Sequence, residues 1–387
     1  MRRATVIRGY VALAVGFGLP CTAVATPDVI PTPPPVVTQT GADPVQSAYR
    51  AMTPSERIGQ LFMTGVSSDG PSAAKLARLQ RLNVGNVILD GNSASARAAV
   101  SVETASISAA LARSGVAPLI ATDQEGGEVQ RFTGPGFSQI PTALQQGRWT
   151  TRKLRREATT WSHQLAAAGI SMNLAPVADT VPAGHAHANQ PIGRYDREYG
   201  HTPGVVGPHV VAVVRGEGAN VAVTIKHFPG LGRATGNTDL TKHVTDPTTR
   251  HDAYLAPFSA GISAGTPFVM VSLASYPHIE PGRPACFSAT VIKSMLRGDL
   301  GFNGVVISDS FHAVAVRSVP PANAAIRFFR AGGTMLLDTD ASPIRQMEAA
   351  VRSRAKTHPA FAAAIRADVL DVLQAKSGAG LVATVQQ

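Results

Sequence analysis

Charged side chains recur in this sequence at one kind of place, directly after or at the end of a short apolar run. Asp123 and Glu125 follow Ala117–Thr122, Asp179 follows Ile170–Val177, and Lys226 and His227 sit at the end of Val221–Phe228. Asp309 follows Gly304–Ser308, and Asp338 and Asp340 follow Thr334–Leu337. Each has a structural explanation when taken alone, because Asp caps helices and lysines after strands are often solvated. Gathered on one rim, they would supply carboxylates in pairs. Such a pair can cleave a glycosidic bond, one group attacking or activating water while the other protonates the leaving oxygen. Other chemistries fit less well. His227, His243, Asp123 and Asp309 are metal-ligand types, but no His-Glu-x-x-His or comparable spacing joins them, so no metal is expected. A serine nucleophile would need a Gly-x-Ser-x-Gly elbow, which is missing. No glycine-rich dinucleotide fingerprint follows the first apolar run, and no cofactor is expected.

The elements that must carry these residues are legible as a repeat. Eight apolar segments, 58–66, 84–89, 117–122, 170–177, 221–228, 268–274, 304–308 and 334–337, are mostly continuous rather than alternating, as expected of strands covered on both faces. Helical spacing fills the intervals: 73–82, 153–168 with Leu154, Trp161 and Leu165 on one side, and 289–296. Two further helices are expected over 343–352 and 359–375. Eight strands alternating with helices predict an α/β fold, a single (β/α)8 TIM-type barrel over residues 46–387, with a doubly wound open sheet as the alternative. In such a barrel the working residues lie at the C-terminal ends of the strands, where these charged groups fall.

The run Lys226-His227-Phe228-Pro229-Gly230-Leu231-Gly232 closely resembles the signature of glycoside hydrolase family 3 bacterial β-N-acetylglucosaminidases, a group that includes peptidoglycan-recycling enzymes. Four more segments fall in that family's order: Ile58–Met63, Asp123–Phe132, Asn173–Asp179 and Gly301–Asp309. The resemblance spans about residues 50–345. It implies that Asp309 is the nucleophile that forms a covalent glycosyl-enzyme, and that Asp123, Arg131, Arg197, Lys226 and His227 hold a terminal N-acetylglucosamine ring. Charged groups suit that task, since charge-assisted hydrogen bonds to sugar hydroxyls are stronger than neutral ones. Arg197 is preferred over Arg194 because the family's arginine precedes a small or polar residue, an aromatic and a glycine.

The sequence departs from the family pattern in two places. Many relatives carry Asp-Ser-His on the loop after strand five, where the Asp orients a His that serves as acid/base. Here that triplet is Asn237-Thr238-Asp239. Asp239 is therefore the expected acid/base, with Asn237 as loop support and His243 as the alternative, its ordinary pKa already suiting proton transfer near neutrality. Ser310 stands where relatives often have a second Asp, which would alter the electrostatics around Asp309; His312 is expected to be a wall or packing residue. The resulting expectation is a retaining exo-β-N-acetylglucosaminidase acting on peptidoglycan or muropeptide fragments. The alternatives are a family 3 β-glucosidase and an envelope sugar-binding protein that has lost proton transfer.

Residues 1–25 have the layout of an export signal: Arg2, Arg3 and Arg8, an apolar run from Val11 to Leu19, and Ala23-Val24-Ala25. Cleavage after Ala25 and lipid attachment through Cys21 are the two fates weighed, and neither leaves a transmembrane helix. Cleavage would leave Cys286 without an intramolecular disulfide partner. Residues 26–45, with Pro27, Pro31, Pro33, Pro34 and Pro35, read as an extended linker. The net charge of +10 falls to +7 when the three arginines leave with the signal, which suits an anionic cell envelope. The basic residues read as dispersed, which disfavours nucleic acid as a partner.

Overall fold

The computed structural model describes residues 43–234 and 236–383. The expected export signal and most of the proline-rich linker lie outside the described residues. Helix Pro44–Ala51 begins within the last two residues of the expected linker, started by Asp43, whose Oδ1 accepts from Val45 N at 2.9 Å.

Strands β1 (Phe62–Ser67), β2 (Asn86–Asp90), β3 (Leu119–Thr122), β4 (Met172–Asn173), β5 (Ala222–Phe228), β6 (Phe268–Val271), β7 (Val305–Ser308) and β8 (Leu336–Asp338) form one parallel sheet. Sequence neighbours are spatial neighbours from β1 to β7. β8 pairs with β1, and a parallel Ile307–Met335 bridge joins β7 to the residue before β8, closing the (β/α)8 barrel. Phe62, Met63, Val87, Ile120, Met172, Ile225, Val269, Ile307 and Leu336 are all buried. Burying an apolar side chain of this kind contributes roughly 1.5–3 kcal/mol. At the N-terminal end of the barrel the fully buried Lys376 donates to Gln60 Oε1 at 2.6 Å and Gly85 O at 3.0 Å, just before β1 and β2. Among the described residues no helix is long and apolar enough to cross a membrane.

The two largest departures from the expected strand spans have identifiable reasons. The first strand begins at Phe62 rather than at residue 58, because Pro54–Gly59 is a helix. Thr53 Oγ1 accepts from Glu56 N and the Glu56 carboxylate accepts from Thr53 N, a reciprocal cap with Pro54 at the first helical position. The fourth is regular only over Met172–Asn173. Pro176 has no N–H to give the ladder, and the chain follows β5 irregularly through Thr224 N→Ala175 O and the Val177–Lys226 bridge.

Candidate active site

A cleft of about 420 Å³ opens at the C-terminal ends of the strands. Asp123, Arg131, Arg197, Lys226, His227, Asn237, Asp239 and Asp309 all line it; His243 does not.

The segment after β3 leaves the barrel as a tight hairpin, Gln124–Gly126 against Val129–Gln130. Gly126 and Gly127 have φ of +111° and +58°, and a Cβ on Gly126 would lie 2.2 Å from Pro141 O, so the turn requires glycine. Buried amides hold the excursion in place. Asn173 Oδ1 accepts from Gln124 N at 3.0 Å while its Nδ2 donates to Gln124 O and to Glu217 Oε2. The Gln124 side chain in turn grips both backbone groups of Phe132, the neighbour of Arg131. Burial, only partly offset by the Asn173 bond, pushes the Glu217 carboxyl up to about 8. Arg131 Nη1 donates to Asn92 Oδ1 at 3.0 Å, and its buried Nε has no protein acceptor among the described residues.

Glu125 sits at the electrostatic centre of this end of the cleft. Arg197 grips it in two places, Nε to Oε2 at 2.8 Å and Nη2 to Oε1 at 2.7 Å, and Lys226 Nζ lies 2.6 Å from the same Oε1. Lys226 also donates to Asp123 Oδ1 at 2.6 Å, and Arg197 Nη1 to Pro191 O at 2.7 Å. Burial alone would raise the Glu125 carboxyl, but the charges of Arg197 and Lys226 outweigh it and hold it well below the carboxylate range. Burial would likewise lower Lys226, yet Asp123 and Glu125 keep it above the ordinary lysine value. Glu125, Arg197 and Lys226 are therefore charged. Arg197 spends three of its five N–H donors and Lys226 two of its three on these contacts, so each keeps donors for a ligand.

Lys226 and His227 are the two residues before Phe228, the last of β5. Asp179, fully buried, accepts from His227 Nδ1 at 2.7 Å and from Leu231 N at 2.7 Å, and so fixes both the imidazole and the following loop. Gly232 ends that loop against the β4 side, where a Cβ would fall 1.9 Å from Thr180 O.

The next loop carries Asp239. Asn237 Oδ1 accepts from Asp239 N at 2.9 Å, and the loop rests on the segment after β7 through Val314 N→Asp239 O and Ala315 N→Thr238 O. The residue Asp239 is exposed, yet its carboxyl lines the cleft in a poorly hydrated position. Desolvation first, and then the nearby charge of Asp309, raise it to about 6 against the opposing pull of Arg197 and His227. His243, the alternative acid/base, does not line the cleft. It is exposed and left-handed at φ +57°, on the return leg that Ser275 N→Val244 O pins to the hairpin after β6, Ser275–Tyr276 against Glu280–Pro284.

Both feet of this loop meet at one buried carboxylate. Asp246 accepts from Arg233 N at 2.9 Å on one oxygen, and from Thr248 N at 2.9 Å and Thr248 Oγ1 at 2.6 Å on the other. Replacing Asp246 by Asn keeps the volume but turns an N–H₂ toward one of these donors. Asp246→Asn is expected to lower kcat about 10- to 100-fold with a smaller change in KM, because catalytic groups displaced by about 1 Å lose that much. Steady-state kinetics on an aryl glycoside would check it, and a kcat within twofold of wild type would sink the clamp.

Asp309 follows β7, its N donating to Val271 O at 3.1 Å and its Oδ1 accepting from Ser310 N at 2.8 Å. Ser310 Oγ lies 3.1 Å from Thr339 Oγ1 and accepts from Thr339 N, tying the β7 and β8 loops together. Phe311 is buried between Phe287 and Phe328, and exposed His312 forms part of the cleft wall, as expected.

The sequence reading placed Glu125 and Asp179 on the charged rim but gave neither a specific role. Both lie inside the motifs it used, Asp123–Phe132 and Asn173–Asp179, so the signal was present; their partners, Arg197 and His227, are 72 and 48 residues away.

Comparison with known proteins agrees with this fold. The model for "Glycosyl hydrolase family 3 N terminal domain" matches residues 53–372. The chain belongs to glycosyl hydrolase family 3 and is a glycoside hydrolase. It is 37% identical over 270 residues to a beta-hexosaminidase of Xylella fastidiosa (strain M23), an alignment covering 67% of this chain and 77% of the relative. Among solved structures it resembles a beta-N-acetylhexosaminidase from Beutenbergia cavernae, with 44% identity, a TM-score of 0.82, and coverage of 84% of this chain and 99% of the other. A family 3 beta-N-acetylglucosaminidase from a Paenibacillus strain superposes with a TM-score of 0.77 at 28% identity, covering 87% of this chain and 64% of the other.

Proposed function

We propose that this chain is a retaining exo-β-N-acetylglucosaminidase that removes terminal, non-reducing N-acetyl-β-D-glucosamine from peptidoglycan or muropeptide fragments. The observation that carries the mechanism is that Asp309 and Asp239 line one cleft, near enough for the charge of one to raise the pKa of the other. Asp309 attacks the anomeric carbon, forming an ester as the glycosidic bond breaks, and the proton on Asp239 goes to the leaving oxygen. Forming the ester removes the Asp309 charge, so Asp239 loses one of the causes of its raised pKa. It then acts as a base, taking a proton from the water that opens the ester.

The ring is held by Asp123, Arg131, Arg197, Lys226 and His227, whose unspent donors and acceptors meet sugar hydroxyls. The activities of these relatives support an N-acetylhexosamine as the sugar. A peptidoglycan source rests on the family resemblance. The N-terminal segment supports an exported protein at the envelope, either cleaved after Ala25 or anchored through Cys21.

Parallel incubation with an aryl β-N-acetylglucosaminide and an aryl β-glucoside tests the assignment. Faster release from the first, with the β-anomer as the initial product by NMR, is the expected result. Preference for the glucoside would make the chain a β-glucosidase. Binding of N-acetylglucosamine without release from either would make it a silent sugar-binding protein.

A further inference from the structure

The cations of this chain are less dispersed than their overall spread in the sequence suggests. Arg148, Arg152, Lys153, Arg155 and Arg156 fall within nine residues, and the last four occupy the first two turns of helix Thr151–Ala167, all exposed. Positive charge there opposes the helix macrodipole. Arg152 also repels Arg155 and Arg156, at three- and four-residue spacing. Among the described residues Arg156 alone of the five has an acidic partner, Glu157 at 2.9 Å. A helix built against its own electrostatics, with a single exposed ion pair as acidic compensation, points to a use outside the helix.

The fold enlarges the patch. Arg155 and Arg215 both line a cavity of about 770 Å³, larger than the active-site cleft, at the N-terminal ends of β5 to β7, and Asp371 is the one carboxylate in its lining. Arg215 is exposed and comes from the neighbouring helix Pro203–Glu217. The cleft lies at the opposite end of the barrel.

We infer that the surface formed by Arg148, Arg152, Arg155, Arg156 and Arg215 binds a linear phosphate-bearing polyanion and holds the enzyme on it while the cleft stays open. A bilayer is the poorer partner. Peripheral helices insert large apolar side chains, and of the exposed ones among the described residues Val102 and Leu240 lie outside both basic helices, while Val205 is at the other end of its helix from Arg215. Nucleic acid is also poorer, because bases need an aromatic face to stack on and Lys153 Nζ covers the Trp149 ring at 3.8 Å.

The test uses the full chain and inorganic polyphosphate, with affinity measured against salt. In the variant Arg152→Gln/Arg155→Gln/Arg156→Gln/Arg215→Gln affinity should fall at least tenfold. Its log–log salt slope should become shallower by about 3, as expected when four phosphate contacts are lost. Hydrolysis of a soluble aryl glycoside should stay unchanged and report the fold: three of the four charges removed oppose the dipole of their helix, and Arg215 is an exposed cation in the last turn of its own. Arg283, Arg327 and Arg330 line a separate surface pocket, and their triple Gln variant should bind polyphosphate like wild type. Unchanged affinity in the first variant, or equal losses in both, would overturn the proposal. Tighter binding to anionic vesicles or single-stranded DNA than to polyphosphate would do the same.

Discussion

Asp309→Asn should lower kcat/KM for an aryl β-N-acetylglucosaminide on the order of 10⁴-fold or more, the scale of loss when a covalent nucleophile is removed. The amide is nearly isosteric, and its oxygen can still accept from Ser310 N, so the seventh strand and its loop should keep their geometry. What disappears is the negative charge and the nucleophilic oxygen. A fluorinated donor that reacts quickly and hydrolyses slowly separates this from a binding defect. Wild type should gain one sugar mass on the peptide containing Asp309, and the variant none. Full turnover by the variant, or a label on a different carboxylate, would remove Asp309 from the reaction.

The position of that carboxylate was legible because a barrel strand has two independent signatures, an apolar run and a polar residue at its end. The same reasoning placed all eight strands in order. It failed at the start of the first, where an apolar period ran through Ile58 while the Thr53–Glu56 cap and Pro54 had already marked a helix. Local capping chemistry outranked periodicity there, and the cap was in the sequence to be read. The fourth strand failed differently. Its apolar run continues to Val177, but Pro176 cannot donate and Asn173 spends its amide on Gln124.

For the site, sequence spacing supplied candidates but not their division of labour. Lys226 and Arg197 looked alike as sugar-binding cations, whereas the fold joins them through Glu125 into one charged network. His227 was read as a direct contact, and Asp179, which fixes its ring, had no assigned role. Such partners are separated by whole strand–helix units, and a single sequence carries no record of which distant groups meet. The loop after β5 shows the limit most clearly. Asp239 and His243 are four residues apart and chemically both suited to proton transfer, and only the docking of the return leg onto Ser275 separates them.

That separation has a measurable consequence. Asp239→Ala should slow hydrolysis of an unactivated β-N-acetylglucosaminide about 10²- to 10⁴-fold, the range for losing a general acid. His243→Ala should leave it within about twofold. The first step requires Asp239 to carry its proton. With its pKa raised to about 6, the protonated fraction falls as pH climbs through that value, so wild-type kcat/KM should decline on the alkaline side from near pH 6. The alanine variant should lose that limb while keeping slow, nearly pH-independent turnover of substrates with good leaving groups, which need little protonation. Azide supplies an attacking anion that needs no base, so it should accelerate the variant and yield a β-glycosyl azide, with two inversions giving net retention. If His243→Ala proved the slow variant, or if the alkaline limb survived in Asp239→Ala, the acid would have to lie elsewhere on the rim. The loop would then close over the sugar without contributing the proton.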